Sequence, residues 1–133
     1  MKKNVIGLFI LLLALCTLNS CEPEDEWESI EQKSEALCNV PWIEYYVDQE
    51  GVECSQQLIF YASGRGLDVT TRYYGGHVQS DSYAFDWYWE SGRGKTLVMD
   101  YGWGDVSYFT NVWVTYDLLT GDIDHVPVAF HPL

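Results

Sequence analysis

From Ser82 to Glu90 the chain reads Ser-Tyr-Ala-Phe-Asp-Trp-Tyr-Trp-Glu, and no other stretch constrains the fold as tightly. Tyr83, Phe85, Trp87 and Trp89 fall on every second residue. An extended strand therefore puts these four on one face and Ala84, Asp86, Tyr88 and Glu90 on the other. Each buried aromatic ring withdraws roughly 150 to 250 Å² from water. The pattern predicts a β-rich core closed over an aromatic face.

The N-terminus has a different character. Lys2 and Lys3 precede an apolar run from Val5 to Leu15, followed by Leu18-Asn19-Ser20-Cys21. A short basic region, an apolar segment and a small residue at the cut form a secretory signal over residues 1–20. A transmembrane anchor is disfavoured, because Val5 to Leu18 is 14 residues and a spanning helix needs about 20. Leu-x-Ser-Cys resembles the lipobox of bacterial lipoproteins. That resemblance implies that Cys21 carries a thioether-linked diacylglycerol and an amide-linked acyl chain such as palmitate. Several chains hold a domain on a membrane far better than one. The alternative is a secreted protein with a spare Cys21 thiol.

Removal of residues 1–20 leaves 113 of the 133 residues, enough for one domain over 27–133. Lys33, Arg65, Arg72, Arg93 and Lys95 then stand against all 20 acidic residues, a formal charge of 5 minus 20, or −15. Such a body repels nucleic acid and anionic lipid surfaces. Cys38 and Cys54 are the two thiols left in an exported, oxidising setting. The expected disulfide between them closes a loop of about 16 residues and is worth roughly 3 kcal/mol; the alternative is two separate buried thiols. No metal or cofactor is expected, since no other Cys and no nearby His joins the pair.

Residues 21–26, with Glu22-Pro23-Glu24-Asp25-Glu26, form an acidic tether. The run also resembles the acidic signal that sends some lipoproteins of Gram-negative gut anaerobes to the outer face of the outer membrane. Trp27, Ile30, Ser34, Leu37 and Cys38 recur at helical spacing and predict a short amphipathic helix packed on, or plugging, the rest of the domain. From Asn39 on, short apolar runs alternate with Gly, Asp, Asn and Ser. Strands are expected near Trp42 to Val47, Cys54 to Ala62, Leu67 to Tyr74, Tyr83 to Glu90, Lys95 to Tyr101, Val106 to Thr110, Val112 to Leu118 and Val126 to Phe130. Turns are expected at Gly102-Trp103-Gly104-Asp105 and Thr120-Gly121-Asp122, among others. Strands so closely spaced argue for antiparallel pairing, as an up-and-down barrel, half-open or closed, or as a sandwich. One register can be tested. If Gly92-Arg93-Gly94 is a three-residue loop, Asp86 falls opposite Asp100, and opposed like charges are destabilising. The expectation is a register shifted by two residues; the alternative is a cation or Arg72 between the carboxylates.

An ordered set of short motifs runs from Leu37 to about Val128. It comprises Leu37, Cys38 and Trp42; Gly51 and Cys54; Leu58, Phe60 and Tyr61 with Gly64 and Gly66; Phe85, Trp87 and Trp89; Leu97, Met99 and Tyr101; and Leu119 with Gly121. In that order they resemble small envelope lipoproteins with a lipocalin-like domain. The resemblance implies an eight-stranded barrel with a Trp on its first strand, here Trp42, and no agreed activity. Trp42, Phe60, Tyr83, Phe85, Trp87, Trp89, Met99 and Tyr101 are the expected core or ligand lining.

Catalytic signals are weak. His125 and His131, six apart on one strand, are about 20 Å apart and cannot share a metal, and His77 reads as a loop residue. No Gly-x-Ser-x-Gly elbow, phosphate loop or His-Glu-x-x-His occurs. Carboxylate pairs drawn from Asp86, Glu90, Asp100 and Asp105 are what any acidic chain offers. The expected function is non-enzymatic: an envelope lipoprotein, anchored to the outer membrane, that binds a protein partner or a small apolar ligand. Two alternatives stand beside it: a glycan binder using Trp103, Trp113, Tyr73, Tyr74 and Tyr108, and an inhibitor of an envelope enzyme.

Overall fold

In a computed structural model that describes residues 29–133, the Ser29 side chain accepts a hydrogen bond from the Gln32 amide at 3.2 Å and opens α1, Ile30–Asn39. This N-cap satisfies one of the amides that a helix start leaves without an intrahelical partner. The expected signal 1–20, Cys21, the tether 21–26 and Trp27 lie outside the described residues. Eight strands follow: β1 Trp42–Val47, β2 Glu53–Phe60, β3 Arg65–Tyr74, β4 His77–Trp89, β5 Leu97–Gly102, β6 Asp105–Val114, β7 Leu119–Ile123 and β8 Val126–Pro132. Each pairs antiparallel with the next, and β8 returns to β1. The described residues thus form a closed lipocalin-like up-and-down barrel preceded by a short helix, not a sandwich.

Strand positions depart from expectation in three places. β4 begins at His77, six residues before Tyr83. The expected Val106–Thr110 and Val112–Leu118 strands are one strand, β6, interrupted where Asn111 adopts a left-handed φ of 53° and the register to β7 shifts. The expected Thr120-Gly121-Asp122 turn is the middle of β7. Gly121 is there because the strands crowd: a Cβ on it would come within 2.5 Å of the Thr110 carbonyl and 2.7 Å of the Phe109 ring. A glycine demanded by close approach reads, in sequence, like a glycine demanded by a turn.

The barrel is filled at the helix end. Trp42, Phe60, Phe85, Leu97, Met99, Phe109, Leu119 and Phe130 are buried there with Leu37 of the helix. Phe60 meets Phe85 and Trp87 edge to face, each with ring centroids 5.7 Å apart, the arrangement aromatic quadrupoles favour. α1 plugs this end and is held to the barrel by hydrogen bonds from Trp and Lys side chains. Trp42 Nε1 donates to the Leu37 carbonyl at 3.0 Å, Trp89 Nε1 to Ser34 Oγ at 2.9 Å, and Lys33 Nζ to the Gly94 carbonyl at 3.0 Å. Trp87 Nε1 donates to the carbonyls of Tyr61 and Arg65 and so clasps the β2–β3 turn.

Closure is confined to that end. β4 pairs with β5 only from Asp86 to Trp89, and β1 with β8 only at Trp42 and Ile43. The barrel is closed by these pairs, and above them the two seams part and leave one end open, with β1 to β4 on one side and β5 to β8 on the other.

Candidate functional site

Towards the open end the inward-facing positions turn polar. The register aligns Leu58, Asp68 and Tyr83 in one row and Glu44, Gln56, Thr70 and Asp81 in the next. Asp68 is only 8 % exposed. It accepts a hydrogen bond from the Tyr101 hydroxyl at 2.8 Å and contacts from Gln56 Nε2 at 3.3 Å to each carboxylate oxygen. Burial raises its carboxyl above the ordinary value, and the Tyr101 and Gln56 bonds offset part of that rise. Burial first, then the Asp68 charge, push the Tyr101 phenol well above its usual range, so it remains a donor. Tyr101 also packs on Phe85 at 5.3 Å between ring centroids. The Asp68–Tyr101 bond ties β3 to β5 across the interior and roofs the aromatic core.

Of the residues expected to line that core, Trp42, Phe60, Phe85 and Met99 are fully buried, and Trp87, Trp89 and Tyr101 are half-buried against it. Tyr83 is the exception at 55 % exposed. It keeps the inward alternation but lies above the last β4–β5 pair, where no strand covers it. The expected disulfide is also absent: Cys38 and Cys54 are free thiols. Cys38 belongs to α1 at the plugged end, whereas Cys54 lies four residues up β2 from Leu58, roughly 13 Å along the strand. A disulfide needs Cα atoms within about 7 Å.

The Asp86–Asp100 register corrects another expectation. The two carboxylates do stand opposite each other, with Trp87 opposite Met99. Arg72 is not between them. It pairs instead with Asp48 and Glu50 and lies over the Tyr74 ring. The cation at Asp86 is Arg65, at 3.2 Å.

Exposed aromatics form three groups, two towards the open end and one on the outer wall nearer the helix. A cleft of about 530 Å³ is lined by Tyr45, Tyr46, Val47, Glu53, Cys54 and Tyr73 at the ends of β1 to β3. On the outer face of β4 to β6, Tyr88, Val98 and Tyr108 form one cross-strand row in which Val98 is buried and both tyrosines are exposed. At the tip of the β5–β6 hairpin stands Trp103, fully exposed. Gly102, Trp103 and Gly104 all have left-handed φ, at 90°, 56° and 80°. Asn-Gly or Gly-Gly suits such a turn, and a bulky aromatic is an outlier in it.

The remaining candidates are dispersed. Trp113 is 51 % exposed on the outside of β6. Tyr74 stacks on His77 at 5.0 Å. His125 sits in the β7–β8 turn, and His131 lies opposite Ile43. Among the described residues no group of three His, Cys, Asp or Glu is placed to hold a metal ion. No described helix is long and apolar enough to cross a membrane.

Sequence reasoning missed Asp68 because its neighbours Leu67 and Val69 are apolar. Alternation alone turns those two inward and Asp68 out, the reverse of the register. No protein-family model, curated protein or solved structure matches the chain. The fold defines its class, a closed eight-stranded lipocalin-like barrel with short pairing at two of its seams.

Proposed function

We propose that the protein is a non-enzymatic recognition domain of a bacterial envelope, lipid-anchored through Cys21, that binds a protein partner at the open end of its barrel. The observation that carries this reading is Trp103. A tryptophan with its whole surface in water, on a backbone that disfavours it, costs folding free energy and gives none back among the described residues. Exposed Trp is also the residue type most enriched among interface anchors. The filled helix end argues for recognition at the rim over carriage of an apolar ligand inside, since Phe85 and Met99 already pack where such a ligand would sit.

Two measurements test the proposal. Cys21→Ala is expected to move the protein out of the membrane fraction. A photoreactive amino acid in place of Trp103 is expected to give a discrete protein adduct in native envelopes, which one placed on the far side at Glu35 does not. Adducts at neither position, or membrane retention without Cys21, would remove it.

A second reading has its own observation. Tyr88 and Tyr108 lie two strands apart, roughly 10 Å, over buried Val98, a flat apolar surface on which sugar rings can stack. A glycan array with no binders would dismiss it.

A further inference from the structure

Above Asp86, β4 is an edge. From His77 to Phe85 it pairs with β3 alone, and His77 to Ala84 are exposed. The direction of its free backbone groups follows from two bonds. The Glu90 amide donates to the Thr96 carbonyl at 2.9 Å, towards β5, while the Trp87 amide donates to Gly64 at 2.9 Å, towards β3. Alternation along the strand therefore aims the N–H and C=O of Val78, Ser80, Ser82 and Ala84 away from β3, into the space where β5 would continue had it not turned at Gly102. The other seam is treated differently: where β8 leaves β1, the Glu44 carboxylate accepts the Ala129 amide at 3.2 Å. No described side chain bonds the β4 edge amides.

We propose that this edge accepts an extended, cationic peptide segment of the partner as an added strand, continuing the line of β5 and braced at one end by Trp103. The inference rests on the reading that the open end binds a protein. Strand addition takes affinity from backbone hydrogen bonds and specificity from alternate side chains, and the side chains beside this edge set the charge. Val78, Ser80, Ser82 and Ala84 are small or β-branched and leave the edge open on the outer face. Asp81 faces inward along it, and Asp86, Asp100 and Asp105 stand where it meets β5. A lone inward charge is a common guard against indiscriminate edge pairing. Here it disfavours a second acidic copy of this chain and favours Lys or Arg on the incoming strand.

The test uses the full chain carrying Cys21→Ala and two synthetic peptides, one alternating Lys with Val and Thr and the other its Glu counterpart. With the Lys peptide at millimolar concentration, hydrogen exchange of the Val78, Ser80, Ser82 and Ala84 amides should slow. The Gln79 and Asp81 amides, already facing β3, should not change. The Glu peptide should bind roughly tenfold more weakly or worse, and Asp81→Asn should narrow that gap. Ser82→Pro removes one outward N–H and should abolish the protection. Because proline can also distort the strand, Trp103→Gly is the companion variant. It should weaken the peptide several-fold while raising the melting temperature, a pairing that a merely structural role does not give.

Unchanged exchange at these four amides, or slowing at the Val126–Ala129 edge instead, would overturn the assignment. So would concentration-dependent protection without peptide, which gives the edge to a second copy. If Ser82→Pro loses the peptide but keeps the Trp103-site adduct in envelopes, the partner reading survives and this edge is not its seat.

Discussion

Asp86 and Asp100 face each other across β4 and β5, and they are the last pair those strands make. Like charges on residues whose Cα atoms lie about 5.5 Å apart repel by about 1 kcal/mol or less in water. The aromatic pairing of Trp87 with Met99 and Trp89 with Leu97 outweighs that. Arg65 pairs with one carboxylate, and the other accepts the Gly102 amide at 2.8 Å. Asp100→Asn keeps the Gly102 contact and removes the repulsion. It should stabilise the protein by a few tenths of a kcal/mol, up to about 1. The gain should shrink as salt is added, read as urea midpoints at low and high ionic strength. A gain that does not respond to salt would point to a different cause.

Gly66 and Phe85 form a second constrained pair. Their strands oppose them directly, and a Cβ on Gly66 would lie 2.3 Å from two atoms of the Phe85 ring. Gly66→Ala is expected to cost about 1–3 kcal/mol, as overpacking does. Phe85→Leu alone should cost a comparable amount. Combined, the two should cost clearly less than their sum, and additive losses would show that the ring does not lie on the glycine.

The aromatic alternation from Tyr83 to Trp89, the short runs and the glycine turns made the barrel legible, because each is a local consequence of sheet geometry. What was not legible depends on contacts between distant residues. Asp68 faces inward although it sits between two apolar residues, and only the pairing of Leu58 with it shows this. Gly121 looks like a turn until Thr110 and Phe109 are seen against it. Tyr83 has the right alternation, but exposure depends on where β5 turns away. The free β4 edge, with serines and a lone aspartate, carries no hydrophobic pattern at all.

The two thiols give a direct test of the register of β2. With Cys54 facing Tyr46 and Arg72, and Cys38 on the helix at the other end, no bond links them. The chain lacking residues 1–20 and carrying Cys21→Ala should therefore melt at the same temperature with and without reductant. Unfolded without reductant, it should titrate with two thiols. A bond would be worth roughly 3 kcal/mol, so a fall in melting temperature on reduction would contradict the placement.

Asp68 and Tyr101 make the stability of the barrel depend on pH in a direction opposite to that of most carboxylates. The folded-state pKa of Asp68 is raised above its unfolded value, with burial as the leading cause. Between those two values the folded chain binds the proton and the unfolded chain does not, so this contribution falls as pH rises through the window. It is fully present below the unfolded value. Removing the hydroxyl in Tyr101→Phe leaves the ionised carboxylate with Gln56 alone and should cost about 1–3 kcal/mol near neutral pH. The penalty should shrink as Asp68 takes up its proton, because a neutral acid needs the donor less. Asp68→Asn should flatten the slope in both backgrounds. Urea midpoints of the four proteins between about pH 4 and pH 7 measure this, and parallel curves for wild type and Tyr101→Phe would show that the phenol does not hold the buried charge.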